Sequence, residues 1–591
     1  MRLKIDRAGR PGDGYAYIVE NYRDQAGKPT CRIVEKLGRV LELEAADPGW
    51  RAKGEARAAE LTAQKDSFRG VVAYDLCAPA GRVGALNVGW LLADAAFDRL
   101  GLGPWLRRRR RDKGWGQDVA EVLRLLVVSR VVWPGSKRAA VVNASRLWDG
   151  PRVSLDTVYK ALDHLCEEAA RIQTRARAAV AGDGERLECV YYDVTNYFFE
   201  IDQPDAPGQG HDPARGQAAR RWGFSKEHRP SPIIQMGLFM DAAGMPVSYR
   251  LFDGSTPDSS TLTGAIREFK TQFGHPKVTI VADGAMNNGP NLGMLAGAGD
   301  GWVVAASIRK TTGKLRDWVL DPAGWSYEMG ADGQVESMTK SKVHTRTVRY
   351  TGPDGKRTSR NITEKVIAHW SGAYAAREAQ TRAEMASKAA ALAGDLAKLK
   401  ASNRRGVKKY IKQEQADPTT GEVSDQVVVA SLDQTKLAAD AQLDGYWLCH
   451  TSLLDTPDQQ VLARYRQLWR IEETFRISKT DLEARPVYVW TPSHIEAHFL
   501  VCFLALVVTR LLQRHAGGLP AGQIKELLDQ LVLAEAGQGL YVVGRPAGWD
   551  AIDEATSVDT NRRWATDATA RTWKRGWSAS FANLPPTSHA A

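Results

Sequence analysis

Glu188-Cys-Val-Tyr-Tyr-Asp193-Val-Thr-Asn-Tyr-Phe-Phe199 is a run of strand-forming residues with a carboxylate in its middle. β-Branched and aromatic side chains fill a pleated, half-buried surface, whereas an acid there gives up hydration and needs a partner or a task. Working outward to Arg309, the pattern predicts strands over Pro232–Met240 and Met245–Phe252, joined by the turn Asp241-Ala-Ala-Gly244. A helix over Ser260–Phe273, a strand over Lys277–Ala282, a helix over Asn288–Ala298 and a strand over Trp302–Ile308 follow. The fourth strand ends on a second acid, Val278-Thr-Ile-Val-Ala-Asp283-Gly.

Three early strands followed by two β-α alternations match the order of a ribonuclease-H-like α/β fold. In that order the first strand and the end of the fourth are neighbours mid-sheet, so Asp193 and Asp283 should face each other. A third acid lies in Tyr465-Arg-Gln-Leu-Trp-Arg-Ile-Glu472-Glu-Thr-Phe-Arg-Ile-Ser-Lys479. At about 100° per residue, Leu468, Phe475 and Leu482 share a buried stripe with Ile471. Lys479, Glu472, Tyr465 and Arg476 line the adjoining face, while Glu473 falls a further ~100° round, towards solvent. The plain alternative for this helix is an i,i+4 pair of Glu472 with Arg476, worth a few tenths of a kcal/mol. Three carboxylates so placed suit Mg²⁺, a hard cation that takes oxygen ligands and retains waters. Two such ions about 3.5–4 Å apart serve phosphoryl transfer. No Gly-rich Lys loop marks a nucleotide cofactor.

The chain has 591 residues, 43% of them hydrophobic, enough for several domains. A formal charge of +11 favours a polyanionic partner. Cysteines at 31, 77, 166, 189, 449 and 502 form no Cys-x-x-Cys pair, which speaks against zinc and a disulfide framework and for a reducing cytoplasm. The start Met-Arg-Leu-Lys-Ile-Asp lacks the apolar core of a signal peptide. Phe499–Val508 is too short to span a bilayer and is expected to be a buried helix.

Residues 1–70 read as a β-hairpin element, Tyr15–Tyr22 and Cys31–Leu37 flanking the turn Asp24-Gln-Ala-Gly-Lys-Pro. Residues 71–185 read as a helical, DNA-binding region, with apolar residues at helical spacing through Asp118–Val132 and Ser154–Cys166. Arg107, Arg108, Arg109, Arg110 and Arg111 precede those helices and suggest either a solvated run or a loop that contacts phosphates. The core occupies 186–310 and 445–515, split by an inserted subdomain over 311–444. That insert carries a strand over Lys342–Tyr350, a long helix over Ala373–Ala401 and the basic stretch Arg404-Arg-Gly-Val-Lys-Lys-Tyr-Ile-Lys. Residues 516–591 form a helical C-terminal region suited to dimerisation.

Taken together, Tyr192-Asp193-Val-Thr, Ala282-Asp283-Gly-Ala-Met, Gly223-Phe-Ser-Lys226-Glu-His-Arg229-Pro and Leu468-Trp-Arg-Ile-Glu472-Glu-Thr-Phe-Arg476-Ile-Ser-Lys479 resemble the DDE transposases of bacterial insertion sequences, in the cut-and-paste group with a Tyr-Arg-Glu-Lys signature. The resemblance covers about Leu187–Arg514 and implies Asp193, Asp283 and Glu472 as ligands of two Mg²⁺ or Mn²⁺ ions, with Tyr465 and Lys479 on DNA phosphates. It implies cleavage and strand transfer at terminal inverted repeats, double-stranded DNA as partner and target, a homodimer on the DNA, no membrane, and a nucleoid-associated location in a bacterial cytoplasm. Where the signature has Arg, this chain has Leu468; Arg476 is the candidate substitute, and a hairpin route for second-strand cleavage is less secure. Trp447, in Tyr446-Trp-Leu, takes the place of a Trp that supports a flipped base, against the alternative of a core Trp on an alternating strand. Lys226 and Arg229 are candidate backbone contacts, and His228 suits DNA better than a metal. A catalytically silent DNA-binding regulator, or a metal-dependent nuclease without strand transfer, would use the same architecture.

Overall fold

The computed structural model describes residues 1–7, 14–23, 29–66, 84–181, 187–206, 218–275, 277–311, 313–352, 355–393, 406–415, 428–537 and 539–586. The turn at 24–28, Cys77, residues 394–401 of the expected long helix and Arg404–Arg405 lie outside the described residues. Two compact units emerge. One comprises Met1–Leu86, Leu533–Gly544 and Asn561–Ala570; the other comprises Asn87–Val532, Arg545–Thr560 and Arg571–Ala591.

In the first unit the expected hairpin is β2 (Gly14–Arg23) against β3 (Pro29–Arg39), and β1 (Arg2–Arg7) adds a third antiparallel strand on β2. Helices α1 (Val40–Ala46) and α2 (Trp50–Asp66) follow, and Ala16, Val40 and Trp50 form the buried centre.

After β4 (Leu86–Asn87), six helices open the second unit: α3 (Trp90–Asp98), α4 (Leu102–Lys113), α5 (Val119–Val132), α6 (Lys137–Asn143), α7 (Leu155–Glu167) and α8 (Ala169–Ala181). Asp118 and Ser154 cap α5 and α7, each accepting a backbone N–H from the first turn, so the starts of both helices follow from their capping residues.

The centre of the unit is a sheet built from β5 (Cys189–Phe198), β6 (Ile233–Met240), β7 (Pro246–Asp253), β8 (Thr279–Ala282), β9 (Gly301–Ala306), β10 (Ser326–Met329), β11 (Val335–Thr351) and β12 (Arg357–Ser371). A two-stranded ribbon of β13 (Ile411–Gln415) and β14 (Val428–Leu432) stands apart from it, and β15 (Tyr446–Thr451) completes the large sheet. The order is β10-β11-β12-β15-β9-β8-β5-β6-β7, parallel at β5·β8 and β8·β9 and antiparallel at every other pairing. Three strands of the 311–444 segment, β10, β11 and β12, thus extend the core sheet through the pairing of β12 with β15.

Alternation along β5 sorts its side chains between two layers. Val190, Tyr192 and Val194 join the cluster formed with α9 (Asp258–Phe273) and α10 (Gly289–Ala298), through Leu262, Ile266, Phe269, Leu292 and Leu295. The intervening residues meet the helices that come late in the chain. The Tyr191 hydroxyl donates to the carbonyl of Arg464, and Tyr197 packs edge-on against Phe499. Asp193 belongs to this second set.

Phe499 lies on a helix (Pro492–His515) of 24 residues, well beyond the short run expected. By length and composition it is long and apolar enough to cross a membrane, but 94% of its apolar window is buried inside the protein, so burial rather than shortness marks it as a core helix.

Candidate active site

Asp193 and Asp283 meet because β5 and β8 are parallel neighbours in which Tyr192 pairs with Ala282. Each acid is the next residue on its strand. Asp283 ends β8 and caps the following turn, accepting the Ala285 N–H at 3.0 Å. Asp193 accepts the Val194 N–H at 2.7 Å. Glu472 comes from a helix over Trp469–Arg476, which buries Ile471, Thr474 and Phe475 and leaves Glu472 exposed.

The electrostatics tie the three acids together. Burial pushes the Asp193 carboxyl up to about 7; Lys226 and the Val194 N–H oppose this, and the charges of Asp283 and Glu472 add to it. Tyr465, half-buried, has its phenol raised first by burial and further by negative neighbours that include Asp283, Glu472 and Asp193. A fourth acid, which sequence reasoning missed, is Asp258 in the first turn of α9. Burial raises it, Lys226 lowers it and Asp283 raises it further. Lys226 lies 3.9 Å from Asp258 and donates to the Val194 carbonyl at 2.6 Å.

Several details correct the helical reading of 465–482. The segment is not one helix: a helix over Asp458–Arg466 ends before a turn at Gln467–Leu468, the Trp469–Arg476 helix follows, and Ile477–Asp481 forms a wider turn closed by Leu482 N–H to the Ile477 carbonyl. The stripe of Leu468, Ile471, Phe475 and Leu482 is buried as expected. Lys479, carried round by the wide turn, donates to Glu227 at 2.8 Å and lies over the Tyr197 ring. Glu473 is not the solvent-facing acid: it is the less exposed of the pair and binds Arg510 at 2.9 Å. Arg476 turns to Asp481 at 3.5 Å.

Arg107–Arg111 lie within α4, which corrects their placement ahead of the helices and the loop alternative with it. Arg109 is tied to buried Glu168 at 2.5 Å, and Arg110 to Asp118 at 3.4 Å and the Gly116 carbonyl; Arg107, Arg108 and Arg111 are exposed. His228 has a left-handed backbone, φ 55°, and Arg229 lies 4.4 Å over the Phe198 ring. Trp447 is half-buried near the start of β15, 5.3 Å from the Tyr465 ring and edge-on to His369. With Tyr465, Tyr374, Arg309 and Gly284 it lines a cavity of about 430 Å³, within the size range of ligand pockets.

A second cluster has no counterpart in sequence spacing. His344 (β11), Glu364 (β12) and His450 (β15) bring their ligand atoms within 4.8 Å of one another. Cross-strand register makes it: His344 pairs with Glu364, and His450 pairs with Val366 two residues on. Arg346 shares the Glu364 carboxylate at 2.8 Å and donates to Asn287.

The family model of the transposase DDE domain matches residues 197–508, which takes in Asp283 and Glu472 and begins just after Asp193. The model of the N-terminal domain of IS1634 family transposases matches residues 3–70. No curated protein matches the chain.

Proposed function

Because the chain belongs to the transposase DDE domain family, we propose that it moves its own insertion sequence by metal-dependent cleavage and strand transfer at the terminal inverted repeats. The observation that carries this is the convergence of Asp193, Asp283 and Glu472 from two adjacent parallel strands and one helix, with Asp193 pushed up to about 7. Burial and like charge leave that carboxyl short of a cation, and oxygen donors alone suit a hard divalent ion. The strand order β9-β8-β5-β6-β7 supports a ribonuclease-H-like core.

In this reading Asp193, Asp283 and Glu472 would hold two Mg²⁺ or Mn²⁺ ions, which when bound would supply Lewis acidity for phosphoryl transfer. Tyr465 and Lys479 orient phosphates beside them. Lys479 starts from Glu227, so DNA must compete with that carboxylate for the ammonium. Leu468 is buried and cannot stand in for the signature Arg, and Arg476 would have to leave Asp481 to do so. Trp447 faces a cavity that takes a flipped base. Arg107, Arg108 and Arg111, exposed on α4, and residues 3–70 supply sequence-independent and specific DNA contacts, and two copies act on two element ends.

Incubating the protein with Mg²⁺ and the genomic DNA that flanks its gene, then sequencing all cut and joined ends, tests this. Recovered 3′ ends joined to new DNA support it. Cuts without joining would reduce the protein to a nuclease, and binding without cuts to a regulator.

A further inference from the structure

Seventeen large hydrophobic side chains are exposed among the described residues, and the three most exposed aromatics are Phe224 (75%), Trp490 (72%) and Tyr488 (61%). Trp222, at 49%, joins them. The fold gathers all four at one end of β5. Arg221 bridges to Ile233, Ile233 pairs with Phe198, and Phe199 bridges to Val487. Three strand spacings therefore separate Trp222 from Tyr488, about 14 Å. Val487 and Val489 are buried while Tyr488 and Trp490 are exposed, the alternation of an extended segment with one face outward.

The ring-bearing loop is held in place. A Cβ on Gly223 would collide with the Gly254 carbonyl, so the chain passes there only because no side chain intervenes. Further along, Lys226 N–H donates to the Asn196 side chain, Asn196 donates to Glu227, and Lys226 Nζ donates to the Val194 carbonyl. Glu227 also pairs with Arg485, which with Arg229 flanks the Phe198 ring. The loop thus runs back along β5 from the aromatic end to the residue after Asp193. Lys226, Arg229 and Arg485 border this path, with Glu227 on Arg485 and Asp258 3.9 Å from Lys226, three cations to two acids and so a balance that favours a polyanion.

We propose that Trp222, Phe224, Tyr488 and Trp490 form a stacking platform for an unpaired DNA strand that leads away from the acidic site. Exposed rings accept any base by its π-face, and flanking cations follow the backbone. From Asp193 to Phe198 is about 16 Å of extended strand, the length of roughly five stacked nucleotides at 3.4 Å each. The platform therefore reads the length of the unpaired segment rather than its sequence. The inference rests on the transposase reading for the site it serves, but its test does not require cleavage.

The experiment uses the full chain and fluorescein-labelled DNA duplexes of mixed sequence that carry an unpaired flap of 0, 2, 5 or 8 nucleotides, without divalent metal and at one salt concentration. Affinity should rise about tenfold between 0 and 5 nucleotides and then level off. Phe224→Ala/Trp490→Ala should flatten this rise while keeping wild-type affinity for the blunt duplex; Phe224→Tyr/Trp490→Phe should retain it. Flap-independent binding by the wild type, or an unchanged rise in the alanine variant, overturns the platform. A rise here, together with no cleavage of the element's own ends in Mg²⁺, upholds the platform and sinks the transposase reading instead.

Discussion

Two carboxylates on the same sheet, Glu364 fully buried and Asp193 half-buried, are treated in opposite ways. Glu364 is fully buried; burial alone would raise it, yet hydrogen bonds from His450 and His344 and the Arg346 charge hold it down to about 2. Asp193 has a backbone N–H and a Lys226 charge at a distance, with two further acids alongside, and it is pushed up to about 7. Glu364 has its counter-charges bonded to it, whereas the Lys226 charge near Asp193 is outweighed by burial and two neighbouring acids. On the proposed function the difference separates a structural acid from a metal ligand, because a site that must accept divalent cations cannot fill itself with arginine. The regions touch, since Arg346 donates to Asn287 in the segment after Asp283, and β15 carries both Trp447 and His450.

The largest expected effect is on chemistry. Asp193→Asn, Asp283→Asn and Glu472→Gln should each lower strand cleavage in Mg²⁺ by about 10³-fold or more while leaving gel-shift binding to element ends nearly unchanged. Glu364→Gln, assayed at a temperature where it is folded, should cleave as the wild type does. Substantial cleavage by any of the three variants would remove that residue from the metal site. Loss of cleavage in folded Glu364→Gln would erase the contrast.

Stability should sort the same residues in reverse. Glu364→Gln leaves Arg346 without its buried counter-charge and should cost about 3 kcal/mol, read as a fall in the denaturation midpoint. Because the Glu364 pKa is depressed in the fold, its contribution is full above its ordinary 4.5 and is lost as pH falls towards about 2. Asp193 has the opposite sign. Its folded pKa is raised, so the metal-free protein loses stability as pH rises from 3.8 through about 7, by at most about 4 kcal/mol at about 1.4 kcal/mol per pH unit. Glu496, pushed up to about 8 by burial, contributes the same sign, so the informative quantity is the difference between wild type and Asp193→Asn. That variant should be the more stable of the two at pH 8 without metal. Adding Mg²⁺ should close the gap by stabilising only the wild type, and an unmoved wild-type midpoint in Mg²⁺ would count against the site.

The acids were legible because a charge on an apolar, β-branched run is anomalous by itself, and Asp193 and Asp283 each break such a run. Asp118, Ser154 and Asn288, from which the helical spacing is expected to run, cap their helices in the structure. What stayed hidden depends on long-range register or on local breaks in periodicity. His344, Glu364 and His450 are brought together by strand pairing across 20 and 86 residues, which no window of sequence displays. The turn at Gln467–Leu468 and the wide turn at Ile477–Asp481 carry no Pro or Gly, so a constant 100° per residue ran straight through them and placed Glu473 in solvent rather than on Arg510. Arg107–Arg111 fall before the helices in the sequence pattern, as a solvated run or a loop, because the helix that holds them is short of apolar residues; only Leu102, Trp105 and Leu106 anchor it.

The smallest expected effect falls on the strand that joins the two regions. Trp447 is half-buried against Tyr465 and His369, with a cavity open beside it. A ring that supports a flipped base should contribute about 1–3 kcal/mol to the DNA complex, so Trp447→Ala should impair steps after the first nick more than the nick itself. A ring that only fills the core between β12 and β15 should cost about 3–5 kcal/mol of stability and lower all activities together. Its partial exposure favours the first outcome. 2-Aminopurine at the element end should brighten on binding wild type and brighten less with Trp447→Ala, at matched denaturation midpoints. Equal brightening and normal excision by a folded Trp447→Ala protein would remove the flipped base from this cavity, and with it the reason to extend the metal site's chemistry along β15.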